Sequence, residues 1–359
     1  MSSKQNTPST FKTIVIVFLL SLLLQIFWFS PLSSPGILEL PPGSSTPWNN
    51  QLQKVVKLGE GILNKPEDVC IDNEGSLYTA TRDGWIKKMH RNGSWEDWKF
   101  LPTDSLLGVK LSSTPGYLLV CDAALGLLKV GKDDVTVLAS EVNGSTILFA
   151  DDLVEASDGN VYFSDASTKF RFREWFLDML EMRPNARILV YNPSTGETNV
   201  VLSDLYFANG VSLSKDQEYL VFCETWKYQC KKHFLKGDKK GITEILVENL
   251  PGAPDNIKVA PDGTFWIALL DMRLSGMNFV HRSSIAKHLL ARFPKLIVRA
   301  LQIYKKAMVV NVGSDGNIIR KFDDSTGEVV AYVTSVLEFE DHIYLGSLKN
   351  NFVGKLPLK

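Results

Sequence analysis

Residues 151–165 read DDLVEASDGNVYFSD: two adjacent carboxylates, a short alternating apolar run, an Asp-Gly-Asn turn, and a second run rich in aromatic and β-branched residues. Such a turn between two alternating runs is the signature of an antiparallel hairpin. The phrase returns along the chain. EDVCIDNEGSLYTAT starts at Glu67, GVKLSSTPGYLLVCD at Gly108, NGVSLSKDQEYLVFCE at Asn209, DNIKVAPDGTFWIAL at Asp255 and TSVLEFEDHIYLGSL at Thr334. Most of these six copies lie about 40–60 residues apart, the length of a four-stranded propeller blade, and the last interval is longer because of an insertion. Stretches such as GWIKKM from Gly84, ARILVYNPSTGETNVV from Ala186 and GNIIRKFDDSTGEVVAYV from Gly316 supply the outer hairpins. The pattern predicts an all-β, six-bladed β-propeller over residues 51–359; a double-sheet sandwich would not repeat one two-strand phrase with a polar residue at its head.

Two segments break the β period. Phe170 to Met182 and Ser283 to Lys306 carry helical apolar spacing and read as short helices inserted between blades. In the second, Lys287, Arg292, Lys295, Arg299, Lys305 and Lys306 give a basic face suited to a membrane surface, to a lid over the channel mouth, or to the solvated side of a packed connector.

Outside the repeats, residues 13–30, TIVIVFLLSLLLQIFWFS, form an uncharged apolar run long enough to cross a bilayer as a helix. Lys4 and Lys12 precede it, so residues 1–12 are expected to stay cytosolic and the body to face a lumen or the cell exterior, as in a single-pass type II membrane protein of the endoplasmic reticulum, vacuole or cell surface. A cleaved secretory signal is the alternative. Residues 31–50, rich in Pro, Ser and Gly, read as a stalk. The sequons Asn92-Gly93-Ser94 and Asn143-Gly144-Ser145 mark glycosylation sites if the body is luminal. Of four cysteines, Cys223 and Cys230 are the closest pair in sequence and a possible disulfide; alternatively Cys70, Cys121 and Cys223, each within an apolar strand pattern, are buried thiols.

A hydrophobic fraction of 45% and a net charge of −1 give no electrostatic reason to expect a nucleic-acid partner. No G-x-S-x-G elbow or phosphate-binding glycine loop occurs, and none of the five histidines shows metal-ligand spacing. What could do chemistry is the set of repeat heads. In a propeller the innermost strands line the central channel, so equivalent positions of different blades converge on the axis. Glu67, Asp151, Asn209, Asp255 and Asn256 come from four blades and offer only oxygen donors in this reading, which suits calcium better than zinc or copper.

FADDLVEASDGNVYFSDASTKF, YFANGVSLSKDQEYLVFCET and LPGAPDNIKVAPDGTFWIAL, with the final YLGSL, resemble the signature phrases of the plant strictosidine synthase-like family and of its animal relative, the adipocyte plasma membrane-associated protein. The resemblance covers roughly residues 67–356, and more distantly it extends to the paraoxonase and gluconolactonase calcium-dependent hydrolases. Carried over residue by residue, it implies the ligand set already named, with Asp152 behind Asp151 and with Asp151 standing where the hydrolases have an asparagine. It also implies departures. The synthase's acid/base glutamate falls on Thr334, which cannot exchange a proton near neutral pH, so amine–aldehyde condensation is disfavoured. The paraoxonase histidine falls near Ala123. The expectation is therefore a calcium-dependent hydrolase of small esters or lactones, in which the cation activates water and Asp255, Asp151 or Glu67 accepts the proton. The alternative is a non-catalytic propeller scaffold with structural calcium.

Overall fold

In a computed structural model that describes residues 7–37, 47–272, 277–301 and 305–359, six four-stranded antiparallel sheets form a ring. Blades 1 to 5 occupy residues 69–100, 106–139, 150–205, 208–247 and 253–324. Blade 6 takes three strands from residues 333–357 and its fourth from Val56–Leu58, which pairs with Val353–Pro357. The ring is thus clasped by a strand that precedes blade 1, a closure that the repeat pattern did not reveal.

Local chemistry explains the hairpins. In blade 1 the Asp72 carboxylate accepts from the N–H groups of Glu74 (3.0 Å) and Ser76 (2.8 Å). Asp158, Asp216 and Asp262 hold the corresponding turns of blades 3, 4 and 5, each at 3.0 Å from the N–H two residues on. These turns end the inner strands at the lower face of the ring. Between blades the apolar faces interlock, and Trp266, Phe163, Phe222 and Phe265 are wholly buried.

The heads of the inner strands are irregular. Pairing slips at Leu107-Gly108, Asp151-Asp152, Asn209-Gly210, Asp255-Asn256 and Thr334, each within the first turn of its strand. Bulges of this kind release a residue from the ladder and re-aim its side chain. They turn the head residues toward the axis at the upper face.

The helical insertions fall within blades 3 and 5 rather than between blades: each joins a second strand to a third, a connection that lies at the upper face, so both cap the mouth. In blade 3 the cap is a 3-10 turn (Phe172–Glu174) followed by a helix Trp175–Glu181. In blade 5 it consists of three short helices, Met277–Arg282, Ser284–Ala291 and Pro294–Leu301. Ser283 caps the middle one by accepting from the N–H of Ala286 (3.2 Å). Numbering helices in chain order makes these α2 to α5, α1 being the N-terminal Thr7–Trp28. The apolar run thus begins its helix six residues earlier than residue 13, and the stretch long and apolar enough to span a bilayer is Thr10–Trp28.

The expected stalk is not free at its ends. Leu32 is buried in the cap, the N–H of Ser33 donates to Glu181 Oε1 (3.0 Å), and the N–H of Gly36 donates to the Glu181 carbonyl (2.8 Å). At the other end the N–H groups of Asn49 and Asn50 share Asp323 Oδ1 (2.9 and 2.8 Å). Residues 38–46 between them, like residues 1–6 at the N-terminus, lie outside the described residues. Cys223 and Cys230 face each other across a blade 4 hairpin and form a disulfide, so Cys223 is not a thiol; Cys70 and Cys121 are buried thiols.

Candidate functional site

The slipped heads stack in two layers. Glu67, Leu107, Asp151, Asn209, Asp255 and Thr334 form an upper ring, and Asp68, Gly108, Asp152, Gly210, Asn256 and Ser335 a lower one. The two rings differ in charge balance, and that difference defines the site.

The lower ring is neutralised. Asp68 accepts from the N–H of Val109 in the next blade (2.9 Å), and Asp152 from that of Val211 (2.9 Å). Lys258 donates to the Asp68 carboxylate and to the carbonyl of Val69, while Lys110 lies 4.0 Å from Asp68 and 3.8 Å from Asp152. Burial alone would raise the Asp68 carboxyl, but Lys258 and Lys110 beside it outweigh burial and hold it below its ordinary value. These two lysines escaped the sequence reading. Their signal was alternation, since Lys110 and Lys258 stand two residues after Gly108 and Asn256 and so share their face.

The upper ring is not neutralised. Glu67, Asp151 and Asp255 are at most 4% exposed. Burial, then like-charge repulsion among the acids of both rings, pushes the Glu67 carboxyl well above its ordinary value. Asp151 is driven up by burial and by Asp255. Burial raises Asp255 to about 8, against the opposing hydrogen bond from Asn209. Arg82 is the cation facing Glu67 and Asp151; its guanidinium lies 4.1 Å over the Phe172 ring and donates to the carbonyl of Leu106 (3.3 Å).

Three oxygens here are buried without a hydrogen-bond partner: Glu67 Oε2, Asn209 Oδ1 and Asn256 Oδ1. The side-chain amide of Asn256 donates to Glu67 Oε1 (2.9 Å), leaving its own oxygen open. Buried acceptors left open cost free energy unless something fills them. Oxygen donors with uncompensated negative charge are what a hard cation such as calcium requires. Among the described residues no three His, Cys, Asp or Glu side chains gather tightly enough to hold an ion by themselves, so the asparagine amides would be part of any such donor set.

Backbone contacts fix these heads. Thr334 donates its hydroxyl to the carbonyl of Glu67 (2.7 Å), and Thr225 to that of Pro254 (2.8 Å). A Cβ on Gly210 would lie 2.5 Å from the Asp255 carbonyl, and one on Gly346 would lie 2.1 Å from that of Glu67. Glycine is required at both positions for the blades to approach this closely. Thr334 is therefore a positioning hydroxyl. Glu338, four residues further along the same strand, accepts from the Trp266 indole (2.6 Å) and lies well below the ring. Ala123 is buried among the apolar residues of the mouth.

Above the ring opens a cavity of about 530 Å³ whose floor is Glu67, Asp151, Asn209 and Asp255. One wall is aromatic. Trp226 lies 4.5 Å from Phe207 and 6.4 Å from Trp175, and Phe149 lies 5.3 Å from Phe207 and 5.4 Å from Phe172. The Trp226 indole donates to Asp178 Oδ1 of α2 (2.9 Å), tying blade 4 to the cap. Leu270, Met272 and Val298 complete the apolar side, and Lys65, Tyr332 and Lys349 stand opposite.

Comparison with known proteins agrees with this architecture. The family description strictosidine synthase matches residues 151–238, and strictosidine synthase-like, N-terminal, matches residues 47–89. Protein STRICTOSIDINE SYNTHASE-LIKE 4 of Arabidopsis thaliana is 34% identical, over 98% of this chain and 96% of that protein. The chain belongs to the strictosidine synthase-like family. The adipocyte plasma membrane-associated protein of Gallus gallus is 31% identical, over 87% of this chain and 80% of its own length. A gluconolactonase from Xanthomonas campestris superposes with a TM-score of 0.60 at 13% identity, over 92% of this chain and 98% of that one. That likeness speaks for the fold. This strictosidine synthase-like propeller has five acidic residues and two amides in its channel, but has threonine at position 334 and alanine at 123.

Proposed function

We propose that the chain is a calcium-dependent hydrolase of small, largely apolar esters or lactones. The observation that carries this reading is the unbalanced upper ring, with three raised carboxylates and two open oxygens, and the open Asn256 oxygen just below it, beneath an apolar cavity of substrate size. Glu67, Asn209, Asp255 and Asn256, with Asp151, would hold the ion. Bound there, calcium supplies a Lewis acid that polarises an ester carbonyl and lowers the pKa of water.

The chain's own groups do the rest. Phe149, Phe207 and Trp226 hold the apolar part of the substrate and keep bulk water from the floor. Glu67 is tied to Asn256 and Asp255 to Asn209, whereas the Asp151 carboxylate accepts no hydrogen bond from the described residues. Asp151 is the proton acceptor, its carboxylate taking a proton from the attacking water. In the metal-free protein burial and the Asp255 charge raise its pKa above the ordinary carboxylate range, and a bound cation would favour the ionised form that the base role needs.

The remaining assignments follow the N-terminus. Thr10–Trp28 is a signal anchor, the body is luminal, and Asn92 and Asn143 are glycosylated. Both asparagines are exposed, and Asn143 occupies the tip of a two-residue hairpin between Glu141–Val142 and Ser145–Thr146.

The test uses the full chain in micelles with an aryl-ester and lactone panel, with calcium and with chelator. Turnover should require calcium, and Asp255→Ala should lose both turnover and the calcium-induced rise in Tm. Asp151→Asn, which keeps an oxygen ligand but removes the base, should retain the rise in Tm and lose turnover. Calcium stabilisation without turnover on any ester or lactone would replace the hydrolase by the scaffold reading, and no calcium response would remove the metal site.

A further inference from the structure

The cap that closes the channel is held against the N-terminal helix. The Arg292 guanidinium of the α4–α5 link donates to the carbonyl of Gln25 (3.1 Å), the Phe27 ring lies 4.6 Å from the His288 ring, and His288 Nδ1 is 2.6 Å from Ser30 Oγ. Buried Lys287 on α4 donates to the carbonyl of Gly36 (2.6 Å), and Arg183 next to α2 donates to the carbonyl of Ser34 (2.6 Å). A helix that leaves a bilayer at Trp28 and packs at once on α4 sets the cap at the membrane surface.

The outer face of the cap fits that position. Phe279, Ile285, Phe293 and Leu296 are 70, 55, 53 and 64% exposed, an apolar patch that water does not favour. Between α2 and α5 runs a groove of about 690 Å³ lined by Arg173, Phe176, Leu296 and Val298, with Lys295 and Arg299 at its edge. Arg173 pairs with Asp104; Lys295 and Arg299 have no carboxylate partner among the described residues. Val298 lines both this groove and the channel cavity, so the two spaces meet at one side chain.

We propose that the groove between α2 and α5 binds an anionic lipid of the membrane that α1 spans, with Lys295 and Arg299 at the head group and Phe176 and Leu296 against the first acyl carbons. The α3–α5 face then lies in the interface, as amphipathic basic helices do. The channel mouth consequently faces lipid rather than bulk solvent. This inference rests on the anchor reading of α1 and is independent of whether the channel hydrolyses anything.

The test places an environment-sensitive fluorophore on full-length protein reconstituted in vesicles, at Leu296→Cys, at Leu20→Cys within α1, or at Asp133→Cys in a turn on the opposite face of the ring. Cys70 and Cys121 are buried and will not compete for the label. Brominated phospholipids should quench the Leu20 and Leu296 labels about twofold or more and leave the Asp133 label unchanged. In vesicles containing phosphatidylserine, Lys295→Glu with Arg299→Glu should reverse much of the quenching at Leu296, and added salt should act the same way. A Leu296 label as unquenched as the Asp133 label, with Leu20 quenched, overturns the inference while sparing the anchor. Equal quenching in purely zwitterionic vesicles overturns the choice of an anionic lipid. An unquenched Leu20 label removes the anchor and the inference together.

Discussion

Asp255→Asn should change how the calcium-free protein responds to pH. In the folded chain Asp255 titrates near 8 because it is buried, against 3.8 when free. A carboxyl whose folded pKa is raised keeps its proton longer in the native state than in the unfolded chain. Its contribution is therefore complete below about pH 4 and drains as the pH rises toward 8, at about 1.4 kcal/mol per pH unit. Across that window Asp255 alone costs about 5 kcal/mol, which in a body of this size corresponds to on the order of 10 °C in Tm. Glu67 and Asp151 are raised partly by the Asp255 charge, so removing it relieves them as well. The assay is thermal unfolding of the full chain in micelles with chelator at pH 5 and pH 8, then with calcium. Wild type should lose Tm between the two pH values and regain it with calcium, and the calcium effect should grow with pH. Over these three pH units, about 4 kcal/mol, Asp255→Asn should be flatter by about 7 °C and respond weakly to calcium. A variant whose pH slope matches wild type would refute the account of the upper ring as an uncompensated acid cluster.

Two further outcomes follow from groups around the site. Lys258→Met leaves Asp68 buried beside one distant cation and should cost about 3–5 kcal/mol by urea unfolding, with Lys258→Met/Asp68→Asn recovering part of the loss. Cys223→Ser/Cys230→Ser opens the short loop that carries Thr225 and Trp226; the chain-entropy cost is about 2–3 kcal/mol, and limited proteolysis between residues 224 and 229 should become detectable.

The ring and its polar heads were legible because propeller geometry converts sequence register into spatial convergence. Asp151, Asn209 and Asp255 each open a repeat, and one rule places all three on the axis. What stayed hidden obeys no repeat. Leu107 shares the ring position but has no polar group, so the second copy seemed to begin one residue late, at Gly108. Arg82 reaches the acids from the connection between two strands of blade 1, and its partners are distant in sequence. The docking of residues 30–36 on α2 and α4 depends on contacts between segments about 150 and 250 residues apart, which no local period encodes. Glu338, beside Thr334 in sequence, is shown only by tertiary structure to be occupied by Trp266.

The clasp of blade 6 has a consequence for biogenesis. Val56–Leu58 is synthesised long before its partner Val353–Pro357. Until that partner emerges, the nascent ring is a crescent with unpaired strand edges. Removing Val353–Pro357 would leave Val56–Leu58 without its partner and the crescent open.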